Sequence, residues 1–134
     1  MEWRDYLMRQ FDQVGQVLGK ILSDLLGLKS QGKVNDGIEI VNQVLKENLD
    51  LDIQKLLNIQ LDDFINTLKT EKGFNNESLD KLADILTIIA ENRQNKDKKM
   101  LYERCLIIYE YLEKTENVYS VDRKWKIEQI KNML

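Results

Sequence analysis

The stretch LMRQFDQVGQVLGKILSDLLGL, residues 7–28, decides the fold of this chain. Its apolar residues are spaced alternately four and three apart, which is typical of one face of an α-helix. These positions are Leu7, Phe11, Val14, Leu18, Ile21, Leu25 and Leu28. Met8, Leu22 and Leu26 widen this face beyond the two positions per heptad of a coiled coil. We therefore expect an amphipathic helix over about 3–28 that packs against more than one neighbour.

Two glycines, Gly15 and Gly19, lie inside this predicted helix, where each costs roughly 1 kcal/mol relative to alanine. A membrane contact needs an apolar segment of about 20 residues around them, but Lys20 and Asp24 interrupt it. A phosphate loop is excluded because neither glycine follows a strand or precedes a GK[ST] motif. Both lie on one flank of the apolar face, beside Leu22. We expect a second helix to come close to this flank, from the same chain or from a second copy.

The remaining sequence continues in helices joined by glycine-containing or polar turns. Apolar spacing predicts further helices over 34–48, 53–57, 61–69, 76–93, 97–114 and 120–134. Asn75 or Asn76 can cap the fourth of these, and Ser120 or Asp122 can cap the last. Helix 97–114 is apolar on nearly all sides, so we expect it to be the most buried element.

No strand-like alternation or hairpin signal competes with this pattern, so the predicted fold class is all-α with about five to seven helices. We expect a single helical domain over residues 1–134. Its hairpins, over about 3–48 and 76–114, flank a short helical connection at about 50–72, and a C-terminal helix follows at about 120–134. This order is typical of stacked antiparallel helical hairpins.

Composition narrows the function classes. The 134 residues are 43% hydrophobic and 32% charged, which suits one globular core, and the formal net charge is −3. This acidic balance disfavours nucleic acid as a general partner. Histidine is absent, which removes the usual general base and the commonest metal ligand. We therefore expect no enzymatic activity, no cofactor and no metal. The single cysteine and the absence of a signal peptide pattern predict a cytoplasmic location without a membrane span.

Several polar or reactive side chains are candidates for a functional site. Asp50, Asp52, Asp62 and Asp63 lack the spacing of a calcium loop, so we interpret them as helix caps or solubilising charges. Cys105 lies in an apolar run, which favours a core residue over a reactive thiol. Aromatic residues of the C-terminal half could line a ligand groove, although packing is the simpler interpretation. These residues are Tyr102, Tyr109, Tyr111, Tyr119 and Trp125.

The segment LLGLKSQGKVNDGIEIVNQVLKENLDLD, residues 25–52, resembles a tetratricopeptide-type repeat. A Gln-Gly turn follows Leu28, and small or apolar residues recur at Gly37, Val41 and Val44. Leu25 and Leu49 stand where the repeat usually has glycine and proline, and Val44 replaces its alanine. With WRDYLMRQF (3–11) and LDDFINTL (61–68), the chain resembles small bacterial helical proteins with degenerate tetratricopeptide-like hairpins. This resemblance implies a superhelical fold and an interaction surface, and it supplies no catalytic residue.

The expected function is a non-enzymatic protein-interaction or scaffold module that receives a partner's helix or extended segment between hairpins. Candidate contacts are Trp3, Tyr6 and Tyr111, while Phe74 is more simply a core residue. One alternative is a homodimer formed through the apolar face of the first helix. The other is a regulator that contacts nucleic acid through C-terminal basic residues. These are Arg93, Lys96, Lys98, Lys99, Arg104, Arg123, Lys124 and Lys126.

Overall fold

A computed structural model describes residues 2–94 and 96–134, and over these residues the chain forms seven α-helices and no strand. The helices are α1 (Glu2–Ser30), α2 (Val34–Leu49), α3 (Ile53–Asn58), α4 (Phe64–Glu71), α5 (Asn76–Glu91), α6 (Lys96–Thr115) and α7 (Val121–Met133). The all-α prediction is confirmed. The helix predicted over 61–69 is instead a 3₁₀ turn, Leu61–Asp63, followed by α4. Residues 1 and 95 lie outside the described residues.

Side-chain caps and turns set several helix ends. The Asn75 Oδ1 atom accepts a hydrogen bond from the Ser78 backbone N–H at 2.9 Å, so Asn75 caps α5. Likewise, Ser120 Oγ accepts from the Arg123 N–H at 3.1 Å and caps α7. Gly32, with φ +69°, makes the turn between α1 and α2. The two pairs of candidate caps are thereby resolved to Asn75 and Ser120.

The helices α1, α5 and α7 run in the same direction. Gly15 of α1 faces Ser78 of α5, and further along both helices Lys29 pairs with Glu91 at 3.3 Å. Arg123 and Lys126 of α7 pair in the same order with Asp80 and Asp84 of α5. In the two hairpins, α2 packs against α1 and α6 packs against α5, and α6 also contacts α7. As expected, α1 packs against more than one neighbour, namely α2 and α5.

The core is one continuous cluster to which all seven helices contribute, from Val14 to Ile130. The most buried helix is α5, contrary to the expectation for α6. Nine of the 16 residues of α5 are buried, compared with seven of 20 in α6. The reason is position: α5 lies between α1 and α6 and also contacts α2. Apolar side chains of α6 such as Leu106 and Ile107 remain half-buried.

The connection between the hairpins is tied to the core by Arg104 and Phe74. The Arg104 guanidinium is buried and donates hydrogen bonds to the carbonyls of Leu57 at 2.9 Å and Ile59 at 3.2 Å. Phe74 is 1% exposed, so it fills the core and offers no contact surface. The preceding Gly73 has φ +72°, and a Cβ there would meet the Gln10 side chain of α1. Its left-handed conformation and this contact both require glycine.

Candidate functional site

The row of three parallel helices leaves a groove over the middle helix. Its floor is the solvent-facing side of α5, one wall is α1 and the other is α7. We call it the α5 groove, and its volume is about 250 Å³. A recess of about 130 Å³, which includes Gln129 and Met133, continues it toward the end of α7. The groove is lined by Leu22, Leu26, Lys29, Asp84, Thr87, Ile88, Glu91, Tyr109, Trp125 and Lys126.

Asp84 organises the polar part of the groove floor. Its Oδ1 atom accepts hydrogen bonds from the Tyr109 hydroxyl and from Lys126 Nζ. Burial, followed by the Asp84 carboxylate, raises the pKa of Tyr109. Burial lowers the pKa of Lys126, but hydrogen bonds with Asp84 and Asp122 outweigh it, so the net shift is upward. Tyr109 therefore stays neutral and Lys126 charged at neutral pH.

The rim of the groove is apolar and exposed. Leu26 of α1 is 50% exposed, while Trp125 and Met133 of α7 are each 60% exposed. A Lys29–Glu91 ion pair at 3.3 Å lies across the α1–α5 side. The rim is apolar, and the polar groups of the floor are already paired with one another. Such a groove suits a partner that inserts an apolar anchor residue and makes polar contacts around it.

The wall formed by α7 is held in place by Arg123. Its guanidinium donates a hydrogen bond to Glu116 at 3.2 Å and also pairs with Glu113 and Asp80, at 3.7 and 3.8 Å. The Arg123 side chain is only 11% exposed, so solvent screens these contacts less than surface ion pairs. By contrast, α7 buries only Ile130. Charge pairing rather than a broad apolar face therefore positions this helix.

The predicted contact residues lie on separate surfaces. Trp3 and Tyr6 stack with ring centroids 6.1 Å apart at the exposed start of α1. Since an α-helix rises about 1.5 Å per residue, Trp3 is roughly 28 Å from Leu22 along the helix axis. Tyr111 is half-buried beneath α4, where Lys69 Nζ donates a hydrogen bond to its hydroxyl at 2.8 Å. None of the three lines the α5 groove.

Of the five aromatic residues considered as groove lining, Tyr109 and Trp125 line the α5 groove and Tyr102 lines its extension. The sequence did not indicate Leu26 or Asp84 as site residues, and it indicated Lys126 only as part of a basic surface. Leu26 lies on the same flank of α1 as Gly15 and Gly19. This shared flank is the sequence feature that could have identified Leu26 as a site residue. Asp84 lies on the face of α5 opposite the apolar stripe of Leu79, Leu82 and Leu86, so the apolar pattern gave no signal for it.

Gly15 and Gly19 face α5 of the same chain. A Cβ at Gly15 would lie 3.9 Å from both Ser78 Oγ and Lys81 Nζ, and one at Gly19 would lie 3.6 Å from Lys81 Nζ. These are ordinary contact distances to side chains, so the backbones do not approach closely here. A close contact occurs instead at Gly37 of α2, where a Cβ would overlap the Leu28 side chain of α1.

Several of the other residues singled out in the sequence have structural contacts. Cys105 is buried, and burial raises the pKa of its thiol to about 12. Asp52 caps α3 by accepting from the Lys55 N–H at 2.7 Å. Among residues 2–94 and 96–134, no three potential ligands are grouped as a metal site would require. Three of the basic residues, Arg104, Arg123 and Lys126, are held by backbone carbonyls or carboxylates.

Comparison with known proteins found no matching family model, no similar curated protein and no similar solved structure. The described helices include none that is long and apolar enough to cross a membrane. The functional assignment therefore depends on the geometry of the site itself.

Proposed function

We propose that this chain is a non-enzymatic protein-interaction module whose α5 groove receives a helix or extended segment of a partner protein. The observation that carries the proposal is the exposed apolar rim of Leu26, Trp125 and Met133 around the α5 floor. Large exposed apolar side chains around a concave surface are typical of contact sites. Trp125 is the anchor candidate, because tryptophan is enriched among residues that dominate binding energy.

The arrangement of the helical hairpins also supports the proposal. In a tetratricopeptide-like array, the first helices of successive hairpins lie side by side, and we propose that α1, α5 and α7 play that part. Their common direction supports this assignment, as does the packing of α2 against α1 and of α6 against α5. We further propose that the chain belongs with small bacterial helical proteins that carry degenerate repeats of this kind. Such arrays bind partners through an extended surface built by several helices.

A homodimer through the apolar face of α1 is disfavoured, because Val14, Leu18 and Ile21 of that face are already buried within the chain. Exposed apolar residues around the start of α7 favour a different contact with a second copy. Val118, Tyr119 and Val121 are 75%, 66% and 71% exposed. A second copy is therefore the competing occupant of this end of the molecule. Nucleic acid is less favoured, because Arg123 and Lys126 already neutralise carboxylates of α5 and α6.

A quantitative pull-down from the native cell tests the proposal. The double variant Leu26→Glu with Trp125→Glu places charge on both walls of the groove. Ile40→Glu is the matched control, because Ile40 is 61% exposed but lies on α2. We expect a partner that the wild type and the control retain equally and the double variant loses, with quantification by mass spectrometry.

Equal retention by all three proteins would contradict the proposal. Light scattering on the same proteins distinguishes the homodimer. A wild type of twice the chain mass would favour a second copy, and its dissociation in the double variant would place that second copy in the α5 groove.

A further inference from the structure

A second cleft, of about 360 Å³, lies between the middle of α1 and the first turn of α5. It is separate from the α5 groove, which begins further along both helices. On the α1 side, Gly15 and Gly19 present no side chains, so the cleft reaches the helix backbone. On the α5 side it is lined by Asn75, Glu77, Ser78 and Lys81.

Ser78 is the feature of this cleft that packing does not explain. The residue is 1% exposed, and its hydroxyl forms no hydrogen bond with any described residue. Buried hydroxyl groups are normally paired, because an unsatisfied one costs about 1–3 kcal/mol. The hydroxyl lies at the cleft wall, opposite Gly15. It is a donor placed where a ligand oxygen could accept from it.

Lys81 supplies a cation beside the same point. A Cβ at Gly15 would be equally far, at 3.9 Å, from Lys81 Nζ and from Ser78 Oγ, so the two donors flank one position. Among the described residues, Lys81 Nζ is held by the Gly15 carbonyl at 3.3 Å and by Glu77 at 3.7 Å. The Glu77 side chain is 77% exposed, so water screens its charge.

The start of α5 adds a favourable field. A helix N-terminus carries about half a positive charge, and its first backbone N–H groups have no acceptor within the helix. The backbone N–H groups of Asn76 and Glu77 belong to the same helical turn as Ser78. Negative charge from Asp12 and Glu77 opposes an anion at the rim, while Lys20 and Lys81 favour it.

We propose that this cleft binds a phosphate group, either free or as the monoester of a small molecule. The tetrahedral oxyanion accepts hydrogen bonds from the Ser78 hydroxyl, the Lys81 ammonium and the first turn of α5. The missing side chains of Gly15 and Gly19 leave room for it. Binding here is independent of whether the α5 groove holds a partner.

The test is a backbone amide NMR titration of the full chain at constant ionic strength, with inorganic phosphate, glycerol phosphate and acetate as separate probes. We expect saturable shifts at Gly15, Gly19, Glu77 and Ser78 with either phosphate and weaker binding of acetate. Tighter binding of glycerol phosphate identifies a monoester as the ligand, and tighter binding of inorganic phosphate identifies the free ion. Both results support the site.

Single-residue variants test whether Ser78 and Lys81 bind the phosphate group. Lys81→Met weakens phosphate binding about tenfold or more, because it removes a charge-assisted hydrogen bond. Ser78→Ala weakens it by about three- to tenfold, because it removes a neutral hydrogen bond. Glu77→Gln tightens binding because it removes the competing carboxylate. Lys114→Met, at an exposed lysine near the end of α6, is the matched control and leaves binding unchanged.

Three results would overturn the proposal. These are the absence of saturable shifts, equal effects of Lys81→Met and Lys114→Met, or acetate binding as tight as phosphate. If a variant at Ser78 or Lys81 fails to fold, Gly15→Ala replaces it, because its methyl group would enter the cleft at ordinary contact distance. Unchanged phosphate binding by Gly15→Ala would also overturn the proposal.

Discussion

Lys126 of α7 forms an ion pair with Asp84 of α5, with 3.0 Å between Lys126 Nζ and Asp84 Oδ1. The same carboxylate accepts a hydrogen bond from the buried hydroxyl of Tyr109 on α6. One side chain therefore links three helices at the floor of the α5 groove. Because α7 buries only Ile130, such polar links determine where the groove wall stands.

Removing Asp84 is expected to destabilise the fold more than removing Lys126. Asp84→Ala leaves the Tyr109 hydroxyl buried without an acceptor, which costs about 1–3 kcal/mol. Lys126→Met removes a half-buried ion pair and costs less than about 1 kcal/mol. The measurement is the free energy of unfolding in urea. Asp24→Ala, whose exposed partner Lys20 lies 4.0 Å away, is the control and should show no measurable change. Equal losses at Asp84 and Asp24 would show that the groove floor is not built by this carboxylate.

Cys105 makes stability depend on pH in the alkaline range. Burial raises the pKa of its thiol from 9.0 to about 12, so the unfolded chain loses its proton first as pH rises. The contribution is complete below pH 9 and declines as the pH rises toward 12. At about pH 10 the expected loss is about 1.4 kcal/mol relative to neutral pH.

Cys105→Ala removes this contribution. Urea unfolding of both proteins at about pH 8 and about pH 10 isolates it, because the other titrating groups are shared. We expect the wild type to lose more stability than the variant over this interval. Parallel losses would indicate that the thiol is not buried as described.

Alanine substitutions at Gly19 and Gly73 should change the free energy of unfolding in opposite directions. Gly19→Ala is expected to raise the free energy of unfolding by roughly 0.5–1 kcal/mol, since the helix interior favours alanine and the new Cβ fits. Gly73→Ala is expected to lower it by about 1–2 kcal/mol, because φ is +72° and the Cβ would meet Gln10. Thermal and urea unfolding measure both. Destabilisation by Gly19→Ala would mean that α5 lies closer to α1 than in this structure.

Trp125 is expected to matter little for folding. Its side chain is 60% exposed, so Trp125→Ala should change the free energy of unfolding by less than about 1 kcal/mol. Ile130 in the same helix is 3% exposed, and Ile130→Ala should cost about 2–5 kcal/mol. Urea unfolding of the two variants makes the comparison. A large loss at Trp125 would identify it as a packing residue rather than a contact residue.

The helices could be predicted from the sequence because their apolar spacing is a local property. The 3.6-residue period placed α1, α2 and α6 within two residues of their observed ends. The relative burial of α5 and α6 could not be predicted in this way. The apolar stripe of α5 runs along Leu79, Leu82 and Leu86. Ile85 and Ile88 lie outside this stripe, yet both are buried because α5 is the middle helix. Which helix lies in the middle depends on contacts between distant segments.

The groove was only partly predictable for the same reason. Trp125 and Tyr109 were singled out as aromatic residues, but their position opposite Leu26 follows from the pairing of α7 with α5. That pairing depends on Arg123 and Lys126, which in the sequence suggested a basic surface. Similarly, the glycines of α1 indicated a helix contact, whereas the structure places the polar cleft of Ser78 and Lys81 there.

The most direct test of the protein-interaction function is site-specific photo-crosslinking in the native cell. A photoreactive amino acid replaces Gln129, which lines the groove extension, or Glu128, the adjacent exposed residue outside it. We expect a discrete adduct with a different protein from position 129 only, and its loss when Trp125→Ala is added. Adducts of equal yield from both positions, no adduct from either, or an adduct with a second copy of this chain would contradict the proposed function.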